Sequence, residues 1–416
     1  MSRFVIIGNS VAAVGCIEGI RKTDPAGGIT VVSAEPCAAY GRPLISYWLQ
    51  GKTDEAHMAY RAADFYDKNG AAVLYGAEAS GFDAAKKTVA LADGRSLRYD
   101  RLLLATGSRP FIPPFRGLDG VGKKFSFMTL ADARALGEAL TPDARVLIVG
   151  AGLIGLKCAE GIRARCGSIA VCDLADRVLP SVLDADSAAI VQRRLEENGI
   201  EFHLGESVGR FEGNTAVLAG GAKLGFDVLV VAVGVRPRTE LAAAAGAQVE
   251  KGIVTDVRCA TTLPDVYAAG DCAQCRDLVL GEQRMLALLP NAYMAGECAG
   301  VNMAGGAALF DRAIAMNSVG FFGLHVVSAG VCDGECYVEQ REGARKELFY
   351  KDDRLRGFIL VGDVARAGIY TALIREQTPL SSIDFERIRR QPQLMAFSRG
   401  ARAYKLNGQP AGEAAQ

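Results

Sequence analysis

Two stretches of this chain are copies of one device. Residues 5–21 (VIIGNSVAAVGCIEGIR) and 146–163 (VLIVGAGLIGLKCAEGIR) each run from an apolar strand through a glycine turn into a helix. Such a turn brings backbone N–H groups to a helix N-terminus, where unpaired donors and the helix dipole favour a pyrophosphate. The second copy carries a full GxGxxG in Gly150, Gly152 and Gly155, with Leu153 and Ile154 inside it. The first keeps Gly8 and a small Ala13 but has Ser10 at the close-approach position. After each copy a second apolar strand ends in an acid able to accept from ribose hydroxyls, Glu35 after ITVVSA and Asp173 after IAVC. The expected fold is therefore α/β, with two Rossmann-like dinucleotide-binding domains. Two dinucleotides held by one chain imply hydride transfer between a nicotinamide and a flavin.

Composition narrows the partners. Lys plus Arg and Asp plus Glu both number 47, so no global charge draws the chain to nucleic acid or to a membrane surface. The longest uncharged run, residues 313–332, is broken by Asn317, Ser318, His325, Ser328 and glycines, and no membrane span is expected. The first strand begins beside Met1, which leaves no room for a signal peptide. The 11 cysteines lack the short, even spacing of a secreted disulfide scaffold. A cytoplasmic protein with reduced, buried thiols is expected.

Turn signals divide the chain. A stretch with a hairpin at Ala92, Asp93 and Gly94 leads into the apolar run 102–105, and proline and glycine then crowd residues 108–122. The second copy repeats that order and ends at Gly234-Val235-Arg236-Pro237. The segment TTLPDVYAAGDC ends a strand at Gly270-Asp271, and a helix from Pro290 can return to the first sheet. The expected division is a first dinucleotide-binding domain over 1–113 and 243–309, a second over 114–242 and a small α+β domain over 310–383. A basic tail follows over 384–416, its end disordered.

The ordered motifs GNSVAAVG, RPLIS, ATGSRP, GAGLIG, VAVGVRP, AAGDC and LPNAYMAG span nearly the whole chain. Together they resemble the pyridine nucleotide-disulfide oxidoreductase superfamily, most closely its NADH:rubredoxin reductases and the flavin portion of nitrite reductases. The resemblance implies that the first domain, over 1–113 and 243–309, binds FAD and that the second, over 114–242, binds NAD(P)H. NADPH is the weaker candidate, because Asp173 would repel a 2′-phosphate, although Arg177 could meet one. By the same resemblance Gly8, Ser10, Ala13 and Glu35 would hold the ADP half of FAD, with Arg42, Pro43, Ala79, Ala105, Thr106 and Gly107 around it. Gly270 and Asp271 would meet the ribityl chain. The helix start at Pro290, Asn291 and Ala292 would face the flavin pyrimidine edge, where its dipole stabilises the charge gained on reduction. Gly150, Gly152, Leu153, Ile154, Gly155, Asp173, Val233 and Gly234 would hold NADH.

Two residues are placed at the reacting atoms. Lys157, standing where many relatives have glutamate, would contact the nicotinamide carboxamide or favour reduced flavin; a solvated helix lysine is the alternative. Phe322, with Phe321, would flank the flavin ring or else pack in a core. No general base is needed if nicotinamide C4 stacks over flavin N5 at about 3 to 3.5 Å.

Departures from the family pattern set the outlet. Dithiol members carry a CxxxxC pair, and coenzyme A disulfide reductases retain one cysteine. Here the stretch reads Ala39-Tyr40-Gly41-Arg42-Pro43, with Tyr40 at the single-cysteine position, so disulfide reduction by the family route is not expected. Cys272 and Cys275 have redox-type CxxC spacing but read first as packing behind Asp271. Cys332 and Cys336 complete no zinc set, and no metal is expected. The implied activity is FAD-dependent NADH oxidation, with electrons passed to a rubredoxin- or ferredoxin-type carrier. The alternatives are reduction of oxygen, a quinone or an organic substrate, and a flavin- and NADH-binding redox sensor with slow turnover. Arg387, Arg389, Arg390, Arg399, Arg402 and Lys405 would dock an acidic carrier or form a solvated face. A homodimer is left open.

Overall fold

Each glycine turn opens a parallel sheet, and four of the five strands follow the same order in both, the edge strand differing in where the chain supplies it. In the first, Val266–Ala268, Arg101–Leu104, Arg3–Ile7, Gly28–Ser33 and Ala71–Tyr75 lie side by side, all parallel. In the second the order is Lys124–Phe125, Val228–Val231, Arg145–Val149, Ser168–Asp173 and Ile200–Leu204, again all parallel. Strands such as Val228–Val231, buried at every position, are what a sheet covered on both faces requires. The edge strand Val266–Ala268 comes from beyond the second copy, so the first sheet is built from discontinuous chain. The computed structural model describes residues 2–407. The expected disordered end falls on 408–416, outside the described residues.

The helix after the first turn, Val11–Thr23, packs backbone to backbone on the long helix Leu289–Met303. A Cβ on Gly15 would meet the Tyr293 carbonyl oxygen at 2.3 Å, and one on Gly296 would meet that of Ala12 at 2.0 Å. Only glycines permit this approach, and it sets the start of the long helix beside the first turn.

The chain forms two units. One comprises residues up to Ser181, Leu195–Asp277 and Gly281–Ala313, and so contains both parallel sheets. The other comprises Val182–Arg194, Leu278–Leu280 and the chain from Ile314 onward. Its sheet is antiparallel, in the order Met316–Phe321, Leu324–Gly330, Arg354–Val361, Ala344–Lys351, Glu335–Arg341. The helix Ala367–Arg375 buries Tyr370, Leu373 and Ile374 against Leu348, Phe358 and Leu360 of this sheet.

Most of the helix Ala185–Glu197 groups with this second unit, although the sequence pattern alone places it within 114–242. Arg345 reaches Asp186 at 2.9 Å and Asp184 at 3.6 Å, and Ser187 Oγ donates to the buried Glu347 at 3.2 Å. An amphipathic pattern shows that one helix face is buried but not which sheet covers it. Among the described residues no helix is long and apolar enough to cross a membrane.

Candidate functional site

Both glycine turns have the same construction. Gly8 has φ +112° and a Cβ there would lie 2.0 Å from the Ala105 carbonyl oxygen; Gly150 has φ +118° and its Cβ would lie 2.3 Å from that of Ala232. Only glycine fits, because of both the torsion and the carbonyl of the neighbouring strand. Gly8 N donates to Val32 O at 2.9 Å, and Gly150 N to Cys172 O at 2.8 Å. Ser10 and Gly152 cap their helices without a side-chain hydrogen bond, so the first-turn N–H groups are not taken up by a cap.

The first turn opens into a cleft of about 400 Å³. Gly8, Ser10, Glu35 and Arg42 border one part of it, Ala79, Ala105, Thr106 and Gly107 another, and Gly270, Asp271 and Ala292 a third. Ala13 is fully buried behind the turn. Pro43 lies in the 3₁₀ turn Arg42–Leu44, and Pro290 opens the first turn of Leu289–Met303. Asn291 is buried against a separate small void shared with Cys259 and Cys275.

The cleft is polar in an ordered way. Asp271 accepts from Ser108 Oγ at 3.2 Å, and burial pushes its carboxyl above the ordinary range, against the opposing effects of Ser108 and Arg42. A carboxylate so placed is short of donors and suits a ligand bearing hydroxyl groups. Burial works against the charge of Arg42, but Tyr40 and Glu35 outweigh it and hold the guanidinium above its usual pKa. Glu35 is ion-paired with Arg42 and accepts from the Tyr40 hydroxyl at 2.8 Å. Tyr40 in turn accepts from Leu130 N at 2.9 Å. The cleft thus offers backbone donors, a cation beside them and an acceptor carboxylate, the set that a diphosphate next to a polyol needs.

The second turn carries its acid differently. Asp173 accepts from Ala151 N at 2.6 Å and from Ala175 N at 2.8 Å, so its two oxygens brace the turn from below. Leu153 and Ile154 are half-exposed on the helix that starts at Gly152, and Gly155 packs under Gly150, its Cβ position 2.0 Å from the Gly150 carbonyl oxygen. Val233 and Gly234, the latter at φ +121°, follow the strand Val228–Val231, which pairs with the strand leading into the turn.

Lys157 is not a solvated helix lysine. It is ion-paired with the buried Glu160, and its ammonium lies 4.7 Å from the Tyr47 ring centroid. The sequence reading missed both partners, although Glu160 had a signal in the repeat, CIEGIR against CAEGIR. It also missed Met128, Thr129 and Arg238, which border the first cleft from distant parts of the chain. No local pattern marks such residues.

Cys272 is fully buried, with Sγ 3.4 Å from the carbonyl oxygens of Leu104 and Ala269, which is a packing role behind Asp271. Among the described residues no group of three or more His, Cys, Asp or Glu could hold a metal ion. Phe322 lies in the second unit at the turn between Met316–Phe321 and Leu324–Gly330, at φ +47°, and Phe321 is fully buried. In the basic tail, Arg387, Arg390 and Arg399 are exposed. Arg389 instead lies 5.0 Å from the Tyr337 ring and is paired with Glu386, and Arg402 contacts Met395 Sδ at 2.8 Å. The Lys405 side chain lies outside what the structure describes.

Comparison with known proteins follows the same lines. Residues 2–296 match the family model of the pyridine nucleotide-disulphide oxidoreductases. The NADH-dependent phenylglyoxylate dehydrogenase subunit epsilon of Aromatoleum evansii is 32% identical over 395 residues, covering 92% of this chain and 93% of its own length. Rubredoxin-NAD(+) reductase of Pseudomonas putida is 31% identical over 287 residues, 67% of this chain and 73% of that protein. The assimilatory nitrate reductase electron transfer subunit of Bacillus subtilis is 30% identical over 87% of this chain, which spans only 48% of that longer protein. Among solved structures, putidaredoxin reductase in its covalent complex with putidaredoxin shares the fold, with a TM-score of 0.84 at 24% identity over 99% of both chains.

Proposed function

This chain belongs to the pyridine nucleotide-disulphide oxidoreductase family, and from that premise we infer that it is an FAD-dependent NADH oxidoreductase that delivers electrons to a redox-protein carrier. Bound in the first cleft, FAD supplies the centre that takes hydride from NADH and passes electrons on. The donor set of the cleft fits that group. The first-turn N–H groups and Arg42 would hold its diphosphate, Asp271 would accept from its ribityl hydroxyls, and the start of Leu289–Met303 would face its pyrimidine edge. The second turn, from Gly150 to Gly155, would hold NADH, with Asp173 disfavouring a 2′-phosphate. Hydride transfer asks no side chain to move a proton, so these residues act by binding and orienting. Lys157 is our candidate for a side chain beside the reacting atoms.

One observation carries the choice of outlet. Tyr40, 7% exposed, fills the single-cysteine position and is locked there by Glu35 and Leu130. No thiol stands between flavin and acceptor at that position, so electrons leave the flavin directly. The relatives named for rubredoxin and for a multisubunit dehydrogenase favour a redox protein, free or as a neighbouring subunit, over a small acceptor. The cytoplasm is the compartment that 11 free cysteines, most of them buried, support.

The test is anaerobic. Protein reduced by NADH is mixed with rubredoxin, ferredoxin, oxygen and a quinone, and the reoxidation rates are compared. Faster reoxidation by at least one protein carrier is expected. If every carrier is slower than oxygen or quinone, the small-acceptor alternative replaces this reading. Reduction by NADH far below metabolic turnover favours the redox sensor instead.

A further inference from the structure

The second glycine-turn helix carries a charge pair almost out of water. Lys157 and Glu160 on Leu153–Ile162 form an ion pair with side chains 15% and 6% exposed. Tyr47, on the short helix Ile45–Leu49, lies with its ring 4.7 Å from the ammonium. The two helices touch here, since a Cβ on Gly161 would meet the Ser46 carbonyl oxygen at 3.2 Å. The short helix follows Arg42, which borders the first cleft, and the longer one starts at the second glycine turn. The pair therefore sits on the seam between the two dinucleotide-binding halves.

A buried ion pair gains little over apolar residues of the same volume, so packing alone is a poor account of this one. Its direction suits another task. Lys157 is nearer the helix N-terminus than Glu160 by about 4.5 Å, three residues of helical rise. The cationic residue is thus the one set closer to the glycine turn along the helix, and the Tyr47 ring adds a cation–π contact that strengthens as the ammonium is desolvated.

We propose that Tyr47 and Glu160 are positioning residues that hold the Lys157 ammonium as a fixed cation at the nicotinamide–flavin seam, where it raises the reduction potential of bound flavin. This inference rests on the FAD and NADH reading above. In the transfer a C4–H bond of NADH breaks and an N5–H bond forms, both electrons moving with the hydrogen, so that NAD⁺ is released and the flavin gains negative charge. A cation already in place stabilises that charge without reorganising.

The experiment is a reductive titration of the FAD-loaded protein against reference dyes, which needs neither NADH nor carrier. Lys157→Met should lower the flavin potential, Glu160→Gln should raise it, and Lys157→Arg should stay close to wild type. Tyr47→Leu should slow reduction by NADH by about tenfold, a loss typical of impaired positioning. Shifts of the same sign in Lys157→Met and Glu160→Gln, or no shift in either, overturn the inference. A purely structural pair would lower the urea midpoint in both without moving the potential in opposite directions. If a single variant fails to fold, the double variant Lys157→Met/Glu160→Gln removes both charges, and a potential below wild type is expected because the lysine is the closer of the two to the turn. A potential at or above wild type overturns the inference. Failure of the wild type to bind FAD overturns the functional reading as well, whereas FAD binding with unmoved potentials overturns this inference alone.

Discussion

The Tyr40 hydroxyl donates to Glu35 Oε2 at 2.8 Å, so the residue at the single-cysteine position braces the acid of the first glycine-turn unit. Burial, the largest influence, raises the phenol pKa far above its ordinary value, so Tyr40 stays neutral and a donor through the working pH range. Tyr40→Phe removes this bond and leaves the Leu130 N–H without its acceptor. A loss of about 1–3 kcal/mol is expected, the cost of an unsatisfied buried group. Urea unfolding measures it, and an unchanged midpoint would mean that the hydroxyl has no bracing role.

Two further pairs repeat across the halves. Arg3 holds Asp100 and Arg145 holds Asp227, each at 2.9 Å, and hydrogen bonds from the arginines lower both carboxyls to about 2. A depressed carboxyl contributes stability that is present above its unfolded pKa and lost as pH falls through the folded one. The window here runs from about 4 down to about 2. Both pairs are exposed, so Asp100→Asn or Asp227→Asn should each cost less than about 1 kcal/mol at neutral pH. The difference from wild type should vanish near pH 2 in urea titrations.

Asp271 has the opposite sign. Its carboxyl is raised, mainly by burial, so the FAD-free protein loses stability as pH climbs from the unfolded carboxyl value through the folded one. Asp271→Asn should therefore leave the FAD-free protein as stable as wild type or more so at pH 7. It should also shrink the rise in melting temperature that FAD produces. Thermal shifts with and without FAD decide this, and an undiminished FAD response would remove Asp271 from the binding set.

Cys272 is enclosed between two carbonyl groups. Cys272→Ala should cost about 1 kcal/mol, a common loss for a small buried side chain, and leave NADH-to-carrier electron transfer unchanged. Loss of carrier reduction would instead revive a dithiol relay with Cys275.

Docking of an acidic carrier is best tested away from Arg389, which is committed to Glu386 and Tyr337. Arg387→Glu/Arg390→Glu should slow carrier reduction and flatten its salt dependence while NADH oxidation by the flavin is unaffected. Salt-dependent rates identical to wild type would assign these arginines to a solvated face.

Much of the site was legible because its demands are local. Gly8 and Gly150 must be glycine wherever a strand carbonyl lies over a positive-φ turn, and that demand is written at one position. The duplication runs deeper than the turns. Arg21 Nε donates to Asn69 O at 2.7 Å and Arg163 Nε to Asn198 O at 2.8 Å, the same clasp in each half. What stayed hidden was pairing across elements. That Glu35 is taken by Arg42 and Tyr40, or that Met128 borders the cleft, depends on chain brought in from elsewhere.

The sequence by itself therefore determined two dinucleotide folds, their order and the absence of a thiol at Tyr40, since repeats, glycine turns and residue identities are properties of short stretches. Only the tertiary structure decided that Lys157 is gripped by Glu160 and Tyr47, and that Val182–Arg194 joins the antiparallel unit. Burial and charge pairing are set by which faces meet, and a helix with an apolar stripe does not encode the identity of what will cover it.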